Sequence, residues 1–278
     1  ALFLGTPNGK NQFYEATQTA HKEEDWALLT FPVSATSLIE ASELDAAKQV
    51  MTADEYQCEF ECSFEAAVKG AIYADQVTTA RKEDRICTVP YDPSMPVDTD
   101  WDLGIGDATS IIFTQSLRSG EVRVIDFVES SGEGLQYYAN VLATRPYTYG
   151  THWAPHDIAV RELGTGKSRL EVAAGFGLKF EVTPRVTGGA SEVEDGIHAA
   201  RLFWRRCWFD ASKTQSLVEA LQHYRRDYNS RLGEFRATPV HDWSSHAADA
   251  FRGLAVRHQL PKAKKRESFT IDTLSVPK

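Results

Sequence analysis

The sequence has no apolar run long enough to cross a membrane, which would need about 18 residues in succession. It also shows no basic and then apolar leader ahead of a small-residue cleavage site. Only four cysteines occur among 278 residues, too few and too scattered for a disulfide framework. We therefore expect a soluble, unexported protein from a reducing compartment.

Positive charge is scarce in the first part of the chain. Residues 1–84 hold 15 acidic and 6 basic side chains, whereas residues 85–278 hold 24 of each. The net charge of −9 therefore belongs to the N-terminal segment. A neutral remainder can still carry a basic face over an acidic metal pocket, so the total charge does not exclude a nucleic-acid partner.

The order of predicted elements is strand-rich at first and then mixed. Three short β-favouring runs, 101–105, 109–116 and 121–129, are separated by glycine-containing turns and predict an antiparallel meander. Beyond them, helix and strand patterns alternate as far as a helix at 246–258, which predicts α/β crossovers. This order predicts a ribonuclease-H-like α/β fold: a mixed sheet flanked by helices and preceded by a small helical linker segment.

Four aspartates fit a metal site in such a fold. Asp102 lies in the first strand, Asp107 in the turn that follows, Asp157 at the carboxyl end of the strand at 151–156, and Asp249 on the final helix. Mg²⁺ and Mn²⁺ prefer oxygen ligands, and two ions about 3.5–4 Å apart can assist phosphodiester hydrolysis. The sequence thus predicts two Mg²⁺ or Mn²⁺ ions held by these carboxylates.

Each of these aspartates, taken alone, is better explained as a turn or capping residue. That explanation is weaker for the four together, because Asp157 and Asp249 have apolar or small neighbours in the sequence. Burying an unpaired carboxylate among such neighbours costs free energy. Asp98 and Asp100 share the strand parity of Asp102 and compete for its role. They rank below it because Asp102 is followed by Gly104, which would let a DNA phosphate approach the backbone.

Four basic residues are candidate DNA contacts. Lys167 and Arg169 could contact phosphates beside the metal site, or simply start a solvated helix. Arg205 and Arg225 could grip a DNA backbone, and solvated surfaces explain them about as well.

Three histidines, His156, His241 and His246, adjoin the aspartates in sequence. A histidine near a metal centre could orient water or a phosphate, but an ordinary hydrogen-bonded histidine is at least as common. We therefore leave all three out of the predicted site.

Four segments resemble, in order, successive signatures of the large terminases of tailed bacteriophages: 4–14, 101–107, 154–157 and 241–252. The first resembles the coupling motif that closes the terminase ATPase core, with Thr6 in its hydroxyl position. The other three resemble the nuclease motifs. That resemblance implies that Asp102, Asp157 and Asp249 are catalytic metal ligands and that Asp107 is an accessory ligand.

The resemblance also implies a domain organisation and a function. Residues 1–84 would be the end of an ATPase domain and a linker, 85–260 the nuclease domain, and 261–278 a basic disordered tail. The expected protein is a Mg/Mn-dependent endonuclease that cleaves concatemeric viral DNA during genome packaging. Its expected partners are double-stranded DNA, the phage portal and the small terminase subunit, in the host cytoplasm at the procapsid.

Two other functions fit the same residues. One is a junction-resolving nuclease of the same fold, and the other is a non-catalytic module that tracks DNA or docks on a portal. A preference for branched DNA would favour the first, and DNA binding without metal-dependent cutting would favour the second.

The segment 164–168, Gly-Thr-Gly-Lys-Ser, should not bind ATP, because a phosphate-binding loop needs a glycine where this chain has Arg161. We predict no saturable ATP binding by isothermal titration calorimetry. Binding that is present in the wild type and lost in Lys167→Ala would contradict this interpretation.

Overall fold

The computed structural model describes residues 2–7, 12–51, 53–64, 70–104, 108–161, 166–184, 192–229, 232 and 234–259. The predicted accessory ligand Asp107 and the predicted tail at 261–278 lie outside these residues. So do Gly164 and Thr165 of the glycine-containing segment.

Nine strands form the two described sheets: β1 (Ile86–Cys87), β2 (Val97–Asp102), β3 (Ala108–Ser116), β4 (Val122–Ser131), β5 (Tyr149–Ala154), β6 (Phe180–Val182), β7 (Cys207–Asp210), β8 (Arg226–Asn229) and β9 (Glu234–Pro239). The last two make a separate antiparallel pair. The predicted meander corresponds to β2, β3 and β4.

Ten α-helices lie in the described ranges: α1 (Gln12–Ala20), α2 (Val33–Thr36), α3 (Ala41–Val50), α4 (Ala53–Glu59), α5 (Ala74–Lys82), α6 (Leu135–Thr144), α7 (Arg169–Gly175), α8 (Glu192–Phe203), α9 (Gln215–His223) and α10 (Ser245–Gln259). None of them is long and apolar enough to cross a membrane.

The large sheet has seven strands in the order β1-β7-β4-β3-β2-β5-β6. Strands β2, β3 and β4 pair antiparallel, and β5 and β6 extend the sheet in parallel beside β2. This antiparallel meander with parallel additions is the ribonuclease-H-like arrangement, so the predicted fold class is confirmed.

The sheet separates two apolar layers. One layer is formed with α5, α8, α9 and α10 and includes Ile112 and Val124. The other is formed with α6 and α7 and includes Trp101, Ile111 and Phe113. Consecutive residues of β3 therefore face opposite layers, as the two-residue period of a strand requires.

Strand β2 alternates between apolar and acidic side chains. Val97 and Trp101 belong to the layer under α6 and α7. Asp98, Asp100 and Asp102 alternate with them and so share the other face, the one covered by α10. A carboxylate in such an interface needs an opposite charge or a hydrogen bond, because burial of an uncompensated charge is costly.

Asp210, the last residue of β7, is a buried carboxylate with a structural role. It accepts hydrogen bonds from the backbone N–H groups of Val89, Ser212 and Lys213 and from the Ser212 hydroxyl. Burial works to raise the pKa of this carboxyl, but the hydrogen bonds outweigh burial and hold the pKa below its ordinary value. Its stabilising effect should therefore be present above the unfolded-state pKa and lost as pH falls through the folded-state pKa.

Asp210→Asn should lower the free energy of unfolding at pH 7 by about 1–3 kcal/mol, because it removes a charged acceptor of several hydrogen bonds. The difference from the wild type should shrink below about pH 4, where the carboxyl of the unfolded chain protonates. Urea unfolding between pH 7 and pH 3 measures both effects. Asp45→Asn is the control, since the Asp45 side chain is 74% exposed; a difference for Asp210→Asn that does not change with pH would contradict the assignment.

Candidate active site

Asp102 and Glu129 lie on the same face of the sheet, on strands separated by β3. Asp102 is paired with Ser110 in the β2–β3 register, and Ser110 is paired with Glu129 in the β3–β4 register. The Ser110 hydroxyl donates a hydrogen bond to Glu129 Oε2 at 2.5 Å. The register thus brings a second carboxylate, from β4, towards the end of β2.

The N-terminal half of α10 adds His246 and Asp249 to this face. The His246 Nδ1 atom lies 3.2 Å from Asp102 Oδ2. Asp249 follows one helical turn later, so its side chain projects from the same side of the helix as that of His246. We call Asp102, Glu129 and Asp249 the carboxylate cluster.

The start of α10 is held by the turn that precedes it. Asp242 accepts hydrogen bonds from the backbone N–H and the hydroxyl of Ser244, and its own carbonyl accepts one from the backbone N–H of Ser245. Arg225 donates to Asp242 Oδ2 at 2.6 Å. These contacts fix where the helix begins, and therefore where His246 and Asp249 lie.

The members of the carboxylate cluster influence one another electrostatically. Burial raises the pKa of Asp249 to about 6, and the nearby Asp102 carboxylate adds to the increase, while Arg252 and His246 oppose it. Burial also raises the pKa of Glu129, and Asp102 again contributes. A cation placed beside Asp249 and Glu129 would favour their charged forms.

Arg252 is the internal counter-charge of Asp249. Its Nη1 atom lies 2.7 Å from Asp249 Oδ1, and its side chain is 22% exposed. The arginine fits because Gly196 of α8 has no side chain: a Cβ there would lie 2.4 Å from the Arg252 side chain. Despite the short separation, Asp249 Oδ1 receives no aligned hydrogen bond from the described residues.

Asp157 reaches the same edge of the sheet from β5. Strand β5 lies parallel to β2, with Trp153 opposite Asp100, and Asp157 follows in a short 3₁₀ helix at His156–Ala159. Arg169 connects the two strand ends: its Nη1 atom donates to the carbonyl of Leu103 at 3.3 Å and lies 3.8 Å from Asp157 Oδ2. The structure therefore places Asp157, 51% exposed, at the strand ends where Asp102 lies.

The donor atoms suit a hard divalent cation, although the side chains are not yet arranged around one. Carboxylate oxygens are the ligands that Mg²⁺ and Mn²⁺ prefer. The buried Asp249 Oδ1, which lacks an aligned hydrogen bond, is an acceptor that a cation could satisfy. Within the described residues, no group of three His, Cys, Asp or Glu side chains is already close enough to hold a metal, since Asp102 is turned towards His246 and Asp249 towards Arg252.

The structure brings Arg169, but not Arg205, to this edge. Arg205 is exposed directly before β7, whose first residue, Cys207, pairs with Val122 at the start of β4. Glu129 lies seven residues further along β4, or roughly 23 Å at 3.3 Å per residue. Any DNA contact of Arg205 would therefore be at the opposite edge of the sheet.

The remaining predicted residues are Lys167, Arg225 and Thr6. Lys167 is exposed just before α7, and Ser168 caps that helix in a reciprocal capping box with Glu171. Arg225 is ion-paired with Asp242 and so contributes to the support of α10. The Thr6 hydroxyl donates to Glu59 Oε2 at 2.9 Å; its assignment as an ATPase-coupling residue stays a prediction.

Three residues of the site were missing from the sequence-based prediction. The sequence explains His246 equally well as an ordinary hydrogen-bonded histidine, yet its ring contacts Asp102. Glu129 and Arg252 are not among the site residues predicted from the sequence. No local sequence pattern points to Glu129, because it comes close to Asp102 only through the strand register at Ser110. The spacing of Arg252 does point to it, because Arg252 follows Asp249 at the i, i+3 spacing of one helical turn.

The fold and the donor atoms together describe a ribonuclease-H-like protein with an acidic edge. No protein-family model matches the sequence, and no curated protein sequence matches it. Solved structures that are similar to it are large terminases and their nuclease domains. The large terminase of a thermophilic bacteriophage is 16% identical, with a TM-score of 0.47 over 90% of this chain and 60% of that one.

Two nuclease-domain structures give similar values. The P22 large terminase nuclease domain is 17% identical, with a TM-score of 0.46 over 64% of this chain and 89% of that one. The domain from bacteriophage SPP1, solved with bound Mn, is 15% identical, with a TM-score of 0.41 over 57% and 84%. This chain spans about 60% of the length of the thermophilic phage terminase. At such low identity nothing about the reaction follows from these proteins, so we infer function from this chain's own residues.

We predict that Mn²⁺ raises the thermal unfolding temperature of the wild type but not of Asp102→Asn or Asp249→Asn. A ligand at a hundred times its Kd stabilises a folded protein by about 2.7 kcal/mol, and loss of a carboxylate ligand should remove this effect. Asp227→Asn is the control, because Asp227 is 57% exposed on the β8–β9 hairpin. An equal Mn²⁺ shift in all four proteins would place the metal elsewhere.

Proposed function

We propose that this chain is the nuclease part of a phage large terminase, a Mg²⁺- or Mn²⁺-dependent endonuclease that cuts concatemeric double-stranded DNA during genome packaging. The observation that carries the proposal is the gathering of Asp102, Asp157 and Asp249 at one edge of a ribonuclease-H-like sheet. These residues come from two strand ends and a helix that are far apart in sequence. Carboxylates collected in this way are expected of a metal site, because metal ligands must meet in space.

Asp102, Asp157 and Asp249 would hold two divalent ions, and Glu129 is placed to contribute to the same site. When bound, such ions supply the Lewis-acid charge needed for phosphodiester hydrolysis. The protein's own residues orient the ligands. His246 contacts Asp102, Arg169 lies between Asp157 and the Leu103 carbonyl, and Arg252 balances Asp249.

Arg169 can also serve the substrate. Its side chain is 27% exposed beside Asp157, where it could contact a DNA phosphate. Lys167 is exposed two residues earlier and could make a second contact. Contacts of this kind neutralise the backbone without reading bases, so cutting should depend little on sequence.

The expected partners follow from the proposed role: double-stranded DNA, the portal and the small terminase subunit. The corresponding place of action is the host cytoplasm, at the portal of the procapsid. In this proposal Asp107 assists as an accessory ligand.

Incubation of a supercoiled plasmid with the protein and Mn²⁺, with and without a chelator, tests the proposal. We expect nicking and linearisation that require the metal, that fall steeply with added salt because phosphate contacts dominate, and that are abolished by Asp102→Asn in a folded protein. Asp227→Asn should cut normally. DNA binding without metal-dependent cutting would instead indicate a DNA-tracking module, and selective cutting of four-way junctions would indicate a junction-resolving nuclease.

A further inference from the structure

Helix α10 meets the acidic face of β2 at two places. His246, near its start, contacts Asp102 at the end of the strand. Arg257, near its end, contacts Asp100 and Asp98 further back along the strand. The helix therefore runs antiparallel to β2. The two contact residues are 11 positions apart, which is about three turns and places both on the same side of the helix.

The Arg257 contact is a buried, two-point ion pair. Arg257 Nε lies 2.5 Å from Asp100 Oδ1, and Arg257 Nη2 lies 2.8 Å from Asp100 Oδ2. The two side chains are only 8% and 2% exposed. The fork of a guanidinium matches a carboxylate in one orientation, so this pair fixes geometry as well as charge.

Further contacts hold the guanidinium on all sides. Arg257 Nη2 lies 3.3 Å from Thr114 Oγ1, and Arg257 Nη1 lies 3.8 Å from Asp98 Oδ2. The guanidinium carbon also lies 5.4 Å from the centre of the Trp153 ring. Asp98 in turn accepts a hydrogen bond from the backbone N–H of Thr151, which connects this cluster to β5.

This arrangement restricts how α10 can move along β2. Sliding the helix would separate Arg257 from Asp100 and leave two charges buried without partners, which is strongly unfavourable. Asp100 and Asp102 are alternate residues of one strand, and Arg257 and Asp249 belong to one helix. A shift of α10 along β2 would therefore change the separation between Asp102 and Asp249.

We propose that Arg257 and Asp100 are positioning residues that set the spacing of Asp102 and Asp249 for metal binding. This inference rests on the proposed function. In the proposed function, neither Arg257 nor Asp100 contacts the metal or DNA. Residues that support metal ligands typically change metal affinity by about 10–100-fold when they are replaced, so the effect should be measurable by binding alone.

A similar ion pair on the other face of the sheet supplies a matched control. Arg145 Nε lies 2.9 Å from Asp126 Oδ2, and the Asp126 side chain is 8% exposed. Asp126 also accepts a hydrogen bond from the Tyr147 hydroxyl, in the layer under α6 and α7. Breaking this pair should destabilise the domain without shifting α10 along β2.

The test compares Mn²⁺ affinity, measured by isothermal titration calorimetry, in the full chain and in Arg257→Gln, Arg257→Lys and Arg145→Gln. Circular dichroism first establishes a temperature at which each variant is folded. Arg257→Gln should bind Mn²⁺ at least about tenfold more weakly than the wild type. Arg257→Lys, which keeps the charge but loses the fork, should be intermediate, and Arg145→Gln should bind as the wild type does despite a lowered unfolding temperature.

Wild-type affinity in folded Arg257→Gln would overturn the inference, and so would an equal loss in Arg145→Gln, which would mean general loosening. If Arg257→Gln does not fold, the inference is tested with Arg257→Lys and Asp100→Glu, and both must bind Mn²⁺ more weakly than Arg145→Gln.

The inference and the proposed function can fail separately. If the wild type cuts plasmid with Mn²⁺ while Arg257→Lys and Asp100→Glu bind Mn²⁺ as the wild type does, the inference is wrong and the proposed function stands. A wild type that neither binds Mn²⁺ nor cuts would overturn both.

Discussion

The fold depends on how the acidic face of strand β2 is covered. Asp98, Asp100 and Asp102 all point towards α10, in a place where most central strands carry apolar side chains. Such a face can be covered only by a helix that brings opposite charges at matching positions. Helix α10 does this with Arg257 near one end and His246 near the other.

The two ends of the interface between α10 and β2 differ in burial and in charge compensation. At the Arg257 end, Arg257 and Asp100 form a buried, two-point ion pair. At the His246 end the compensation is weaker: Asp102 is 24% exposed and faces the His246 imidazole, and burial raises the pKa of Asp249 to about 6 even with Arg252 beside it. In the proposed function, this excess of negative charge would attract the cation, and the Arg257 end would hold α10 in place along β2.

Much of the fold could be predicted from the sequence because its signals are local. The β-favouring runs and the glycine-containing turns between them predict the meander, and the strand predicted at 151–156 places Asp157 at its carboxyl end. The candidate ligands were harder to predict, because they depend on register. Glu129 joins the cluster only because Ser110 lies opposite both Asp102 and Glu129.

The basic residues show the limit of sequence reasoning most clearly. Arg169, Arg205 and Arg225 look alike in a sequence, yet one lies beside Asp157, one lies at the far edge of the sheet and one is paired with Asp242. Asp98 and Asp100 likewise share the face of Asp102, but Arg257 makes them part of the scaffold. Contacts between residues far apart in sequence determine the role of each of these side chains, and local sequence patterns do not predict such contacts.

Anomalous scattering from a crystal soaked with Mn²⁺ tests the proposed metal site most directly. We expect one or two peaks within about 2–2.5 Å of carboxylate oxygens of Asp102 and Asp249, with the Asp249 side chain turned away from Arg252. Peaks elsewhere in the molecule, or no peak between these two residues at Mn²⁺ concentrations that support DNA cutting, would contradict it.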